Sequence, residues 1–338
     1  MRASLIPGRG GAGALSGWSG LQARLGYGLL GLGLLAFPLA ANDYWVDVAN
    51  FYGIYILLGL SLNLVVGHAG LFNLGHAGFY AVGAYATAIL NTRLGVPVLV
   101  MLPVSALLAA AFAYLIVRPI IHLRGDYLCI VTIGFGEIVR IALYNDPAGL
   151  TGGPNGILGI ARPALAGFVF RRPFHYYYLI LAIVVLTVVA MSRLERSRLG
   201  RAWNCIREDD RAAEAMGMDT TALKLLVFVV GAAWAGVAGN LYASKMTVIA
   251  PESFSFWESV VMFCIVILGG AGSVPGVLVG TFGMVVLPEL FRGFAFSRML
   301  FFGAAMVLMM VVRPEGLWPS RSRLGARPRP SGAAAGAQ

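Results

Sequence analysis

The sequence reads as an all-α membrane protein, a polytopic bundle of about ten transmembrane helices, some of them broken. Three observations lead there. Of the 338 residues, 59% are hydrophobic and 12% charged, about half the charged share of an average soluble domain. Apolar runs near the ~20 residues that span a bilayer as helix recur along the chain. Most of the basic residues sit between those runs. A soluble domain of this size needs a polar surface that this composition cannot supply, so lipid is the remaining solvent.

The elements follow in order. Residues 1–24 are Gly-rich and are expected to form a disordered cytoplasmic tract. The run 25–41, followed by PLAAN, imitates a signal peptide, but the region ahead of it is long for that role. It is read as the first span. The next apolar runs are 48–66, then 79–90 together with the polar stretch before it, then 96–117, 127–144, 176–191 and 225–243. The region 260–291 is long enough for two short or broken helices, and 299–312 is the last run. This makes ten crossings, within a defensible range of eight to eleven. The transmembrane domain is set at 25–319 and carries a cytoplasmic loop at 192–224. The tail 320–338 is basic and rich in Pro, Gly and Ala, and is expected to be a loose cytoplasmic end.

With ten crossings and a cytoplasmic N-terminus, 17 of the 25 Lys and Arg fall inside, seven outside, and Arg140 within a span. The positive-inside rule therefore puts both termini in the cytoplasm. The same distribution explains the net charge of +10 without a nucleic-acid partner. Cys129, Cys205 and Cys264 are scattered, with no CxxC and no His at ligand spacing. No disulfide framework or metal site is expected.

Val65–Ala86 carries the tetrad Gly-His-Ala-Gly twice, at Gly67–Gly70 and Gly75–Gly78. His68 and His76 are eight apart, too far to share one metal on a regular helix. The better reading is a helix broken at Gly67, Gly70 and Gly75, with Asn63, Asn73 and the two His satisfying the freed polar groups. Asn73 and His76 are the preferred substrate contacts. A second interruption, Gly269–Gly276, contains Gly270 and Pro275, which removes a helical hydrogen bond. Non-helical backbone at membrane depth is tolerated only where protein or a water-filled cavity surrounds it. Paired interruptions in two halves point to a pathway between repeats, so an internal repeat is expected, although no letter-by-letter repeat is visible.

Thr132, Glu137 and Arg140 lie within the span 127–144. An isolated charge at the bilayer centre costs about 2.5–3.5 kcal/mol, so the pair should face the bundle. It either lines the pathway or neutralises itself and staples helices. LTGGPNGI, residues 150–157, cannot be continuous helix. It is a re-entrant turn, a docking loop or a plain tight connection.

The largest polar island is 192–224. Ala202, Trp203, Ile206, Ala213 and Met216 form one side of a short amphipathic helix, and Arg207, Asp210, Arg211 and Glu214 the other. Arg207–Asp210 and Arg211–Glu214 are spaced to pair. Gly217 is a candidate C-cap, and Asp219 or Thr220 a candidate N-cap for the next helix. Such a helix suits docking into a soluble partner or lying at the headgroups.

RAAEAMGMD, residues 211–219, resembles the EAA loop of ABC-importer permeases, in a variant order. Leu60–Ala86, Asp126–Arg140, Leu150–Ile157 and Val266–Gly280 resemble, in the expected order, a branched-chain amino acid permease of the LivM type. The resemblance spans about 45–318. It implies an importer subunit working by alternating access, with branched-chain or related hydrophobic amino acids as cargo and urea or short amides as alternatives. It also implies two ATP-binding subunits, a second homologous permease, a periplasmic binding protein and an inner-membrane location. Arg211, Ala213, Glu214 and Gly217 would then couple to the ATP-binding subunits. Asn63, Asn73, His76, Thr132, Glu137 and Arg140 are the pathway candidates. No GxxxxGK[ST] is present, so no P-loop is expected in this chain. Nothing resembles a nucleophile–base–orienter set, and neither catalytic residues nor a bound cofactor are expected. The rival is an ion- or proton-coupled transporter or channel using Glu137/Arg140 or His68/His76 as relay. The exposed helix in 192–224 counts against it.

Overall fold

The computed structural model describes residues 33–123, 125–165, 168–170 and 172–290, with positions 31, 303 and 307 and the segment 316–318. The expected tract 1–24, much of the run 25–41, nearly all of 299–312 and the tail 320–338 lie outside the described residues.

The chain is helical almost throughout. Helix α1, Asp43–Asn63, runs on into a π turn, Leu64–His68. It is followed by α2, His76–Leu94, α3, Val98–Ile120, α4, Asp126–Asn145, and α5, Pro173–Arg196. Two short helices come next, α6, Arg198–Glu208, and α7, Asp210–Ala215, and then the long α8, Thr220–Met246. Helix α9, Phe256–Gly269, is separated by a turn from α10, Val274–Thr281, which continues through a second π turn, Phe282–Val286, into α11, Leu287–Leu290. Among the described residues, six stretches are long and apolar enough to cross a membrane: 43–68, 98–120, 126–145, 173–196, 220–246 and 251–269. The only departure from all-α among the described residues is four two-residue strands. Ile157–Leu158 pairs antiparallel with Val248–Ile249, and Ala164–Leu165 with Phe168–Val169.

Contacts sort the connections into two ends. At one, Asp47 meets Lys245 at 3.0 Å, Asn50 donates to the Pro173 carbonyl, and Asn91 accepts from the Ala161 amide. At the other, the 64–75 turn, the α6–α7 pair, the 270–273 turn and residues 316–318 come together. Successive long helices therefore reverse direction, which is the alternation that the charge count requires.

Helix α8 is the centre of the bundle. It packs along α2 and α3, while α1 packs on α5 and also contacts α8, α9 and α10. Small residues set these distances. A Cβ on Gly236 would lie 2.5 Å from the Ser105 carbonyl, and one on Gly239 2.5 Å from the Tyr80 carbonyl. The small-residue run 231–239 thus brings backbones together, as membrane helix packing favours where lipid offers no hydrophobic drive. Buried Asn240 adds hydrogen bonds to Thr87 Oγ1 and the Val98 carbonyl, joining α8, α2 and α3.

Candidate functional site

The two interruptions read from the sequence meet in space. After the π turn at Leu64–His68, the chain leaves helix through Gly70 and re-enters at His76. The second break runs from Gly270 to Ser273, between α9 and α10. Asn63 Oδ1 accepts from the Gly272 amide at 2.8 Å. Gly272 has φ +84°, and a Cβ there would stand 3.0 Å from the Gly67 carbonyl. Ser273 caps α10 by accepting from the Gly276 amide. The last carbonyls of α9 would otherwise be orphans. Leu268 O accepts from Leu317 N at 2.9 Å, and Gly269 O from Trp318 N at 3.0 Å.

One step into the bundle, the sequence-predicted polar residues form a closed network. Ser61 Oγ donates to the Leu58 carbonyl at 2.7 Å and contacts His76 Nε2 at 2.7 Å. Asn73 Nδ2 meets His76 Nδ1 at 3.2 Å. The Ser61 hydroxyl proton is used on Leu58, so His76 donates from Nε2 and accepts at Nδ1, the neutral tautomer. Asn73 Oδ1 accepts from the Gly75 amide. Thr132 of α4 accepts from the Leu74 amide and donates to the Cys129 carbonyl. Gly75 lies against Thr132 itself, with a hypothetical Cβ 1.9 Å from the Thr132 carbonyl oxygen.

Asn63, Asn73, His76 and Thr132 are therefore buried and internally satisfied. Asn73 and Thr132 border a cavity of about 10 Å³ between α2, α3 and α4, about one water's worth of space. Of the residues expected along a pathway, Asn73, His76 and Thr132 are packed together around Leu74 and Gly75, and Asn63 is held on Gly272. An apolar cleft of about 880 Å³ lies elsewhere, between α1, α5 and residues 278–290, and none of the pathway candidates lines it.

Glu137 and Arg140 pair with each other at 2.8 Å, each side chain about one-third exposed. Both side chains are half-buried against this chain and carry their own counter-charge. The pair sits on α4, whose Tyr127, Ile130 and Ile138 all point out of this chain, so the partner of each charge is its neighbour one turn away.

The polar island is two helices rather than the one expected. Asp209 takes extended backbone and its Oδ1 accepts from the Arg211 and Ala212 amides, so it ends α6 and N-caps α7. Trp203 and Ile206 are buried as expected, but Met216 is 83% exposed. Ala213, expected among the residues that couple to an ATP-binding subunit, is only 3% exposed and packs inward on this chain, which corrects that expectation. Neither predicted ion pair forms. Asp210 pairs with Lys224 at 2.5 Å, and Glu214 accepts from the Thr220 hydroxyl at 2.7 Å. Gly217 ends α7 at φ +83°, and Asp219 caps α8 through the Ala222 amide, both as expected. Arg211, Glu214, Met216 and Gly217 are left exposed on one short turn.

A family model described as "Branched-chain amino acid transport system / permease component" matches residues 44–311. The chain belongs to this permease family. It is 43% identical over 328 residues to the high-affinity branched-chain amino acid transport system permease protein LivM of Escherichia coli K12, covering 90% of this chain and 76% of that protein. LivM of Salmonella typhimurium is 43% identical over 308 residues, covering 84% and 72%. LivH of Escherichia coli K12, a permease protein of the same named system, is 26% identical over 291 residues, covering 78% and 90%. No solved structure matches the chain.

Several residues of the permease site carry no signal in the sequence. Ser61 and Ser259 are small hydroxyls inside apolar runs, yet Ser61 fixes His76, and Ser259 Oγ accepts from the Ala77 amide at 2.9 Å. Arg207 has the spacing of one half of a helical ion pair. It donates instead from Nη1 to the Gly67 carbonyl at 2.5 Å. Its spacing to Asp210 is a valid pairing signal, but Lys224 takes that carboxylate. Among the described residues no group of three His, Cys, Asp or Glu could hold a metal ion.

Proposed function

We propose that this permease forms the membrane pathway of an ABC importer for branched-chain or related hydrophobic amino acids. The cargo is that of the relatives' named systems, LivM and LivH. The observation that carries the reading is the exposed turn of Arg211, Glu214, Met216 and Gly217 in and just after α7, set between the Asp209 cap of α7 and the Asp219 cap of α8, at the end of the bundle where the two helix breaks meet. It gives a separate ATP-binding subunit a fixed handle.

In this reading two ATP-binding subunits dock on α6 and α7 and hydrolyse ATP, the chain itself holding no cofactor. A second homologous permease completes the pathway, and a periplasmic binding protein delivers cargo at the opposite face. The domain at 25–319 lies in the inner membrane with both termini cytoplasmic. Closure is the network of Asn63, Asn73, His76 and Thr132. Opening separates α2 from α4 at Gly75 and Thr132, and Glu137 and Arg140 flank the route from α4.

The test is reconstitution of the chain with its neighbouring-encoded partners in liposomes. ATP-dependent uptake is measured across branched-chain amino acids, other amino acids, urea and short amides. Retention of ATP-binding subunits on purification and uptake of leucine, isoleucine or valine support the reading. Uptake driven by an ion gradient without ATP would overturn it.

A further inference from the structure

Arg207 is the side chain that ties the cytoplasmic helix pair to both helix breaks. Its Nη1 donates to the Gly67 carbonyl at 2.5 Å. Its aliphatic stem covers Gly70 so closely that a Cβ there would be 2.6 Å from Arg207 Cγ. A Cβ on Gly272 would be 3.1 Å from Arg207 Nη1. His68 faces the same helix, near Asn204 and beside the Arg207 charge. The helix bearing Arg207 is firmly seated, with Trp203 fully buried and its Nε1 donating to the Leu223 carbonyl at the start of α8. One residue beyond α6, Asp209 begins the exposed α7.

We infer that Arg207 is a positioning residue that transmits movement of α6 and α7 to the Gly67–Gly272 junction. This inference rests on the importer reading above. The geometry favours it over simple anchoring for two reasons. A guanidinium can hold a carbonyl that a broken helix leaves unpaired, and a cation is favoured at that C-terminal end. A lone carbonyl could be capped locally, but this cap comes from the polar loop, 140 residues away in sequence. It touches both interruptions at once. Displacing α6 withdraws the donor from Gly67 and the stem from Gly70 together, which frees the turn that carries Asn73 and His76.

The test uses the assembled transporter in proteoliposomes and compares Arg207→Ala and Arg207→Lys with the unaltered chain. Uptake, ATP hydrolysis and its stimulation by loaded binding protein are measured together. For Arg207→Ala the expected result is normal assembly, hydrolysis no longer stimulated by loaded binding protein, and uptake lower by roughly tenfold or more. Basal hydrolysis continues while uptake falls further, so the ATP consumed per molecule imported rises. Arg207→Lys keeps the charge with a single head group and should be intermediate. Uptake and hydrolysis that fall in parallel at an unchanged ratio, or that do not change, overturn the inference. If Arg207→Ala does not assemble, the ratio in Arg207→Lys decides, and an unaltered ratio there overturns it. Absence of ATP-driven uptake in the unaltered chain would instead overturn the importer reading itself.

Discussion

Gly67 and Gly272 stand main chain against main chain: a Cβ built on Gly67 would come within 2.3 Å of the Gly272 amide nitrogen and 2.2 Å of Asn63 Oδ1. Neither neighbour can yield easily, since the amide and the Asn63 oxygen are hydrogen-bonded to each other. Gly67→Ala should therefore destabilise the detergent-solubilised protein by about 1–3 kcal/mol, the usual cost of overpacking. It should also impair uptake. A thermal unfolding midpoint and an uptake rate equal to the unaltered chain would refute this contact.

Gly236 and Gly134 offer a paired comparison in helix interiors. Gly236→Leu drives a side chain into Ser105 and Ala109 of α3 and should cost stability or prevent accumulation in the membrane. A Cβ on Gly134 would meet nothing within 4 Å. Gly134→Ala should leave the isolated chain folded and gain up to about 1 kcal/mol of helix propensity. Melting curves of the two variants beside the unaltered protein decide it. A destabilised Gly134→Ala would mean that α4 packs differently.

Glu137 and Arg140 should show non-additive behaviour. Removing either partner leaves a lone charge on a membrane helix, whereas Glu137→Gln with Arg140→Gln removes both. The double variant should be more stable than at least one single variant, by a coupling of about 0.5–3 kcal/mol. Wild-type uptake with reduced stability in the double variant assigns the pair a stapling role. Loss of uptake with normal stability assigns it to the route.

The handle on α7 gives a prediction about coupling. Glu214→Arg removes the acceptor for Thr220 and reverses an exposed charge, and Gly217→Pro cannot adopt the φ of +83° found there. Both should leave membrane insertion intact and abolish uptake. Asp209→Ala should weaken α7 by about 1 kcal/mol through loss of its cap. Unaltered transport, or unaltered association with ATP-binding subunits, in both of the first two variants would reject the docking assignment.

Asp146 governs the loop after α4. Its carboxylate is held below the ordinary range, first by the Thr151 amide and also by the Leu150 and Gly152 amides. A depressed pKa means that the ionised form stabilises the fold. That contribution is present above the ordinary carboxylate pKa of about 3.9 and is lost as pH falls through the lower folded value. Protease sensitivity of 146–156 should stay flat at neutral pH and rise only in strong acid. Asp146→Ala should show the acid-like pattern at neutral pH. A transition near pH 6 would contradict this assignment.

Much of this is legible from composition and spacing. Twenty-residue apolar runs give spans because lipid forbids unpaired backbone, and Gly70 and Gly270 mark breaks because each takes a positive φ. Gly67 stays within the π turn, and Pro275 opens α10 in its first turn, where no helical hydrogen bond is lost, so neither breaks a helix in the way expected. Gly217 and Asp219 are local caps and are legible for that reason. What escapes is relational. Asp209 looks like any acidic residue until its own backbone turns extended, and only then does one helix become two. Arg207 and Lys224 compete for Asp210, and that outcome depends on where α8 begins. The closed state of Asn73, His76 and Thr132 depends on Ser61 and Ser259, small hydroxyls that stand out from no apolar run. Periodicity identifies the right faces and cannot say which distant carbonyl each polar group will find.

The two hydrogen bonds from Leu317 and Trp318 to the end of α9 have a consequence in time. Those amides leave the ribosome long after α1 and α2, yet they supply the last acceptors' partners beside the Gly67–Gly272 junction. The junction is thus closed off by one of the later pieces of the chain to be made. A nascent permease arrested before residue 316 would carry its spans in the bilayer with two bare carbonyls at the end of α9, a state that a quality-control protease could tell from the finished protein.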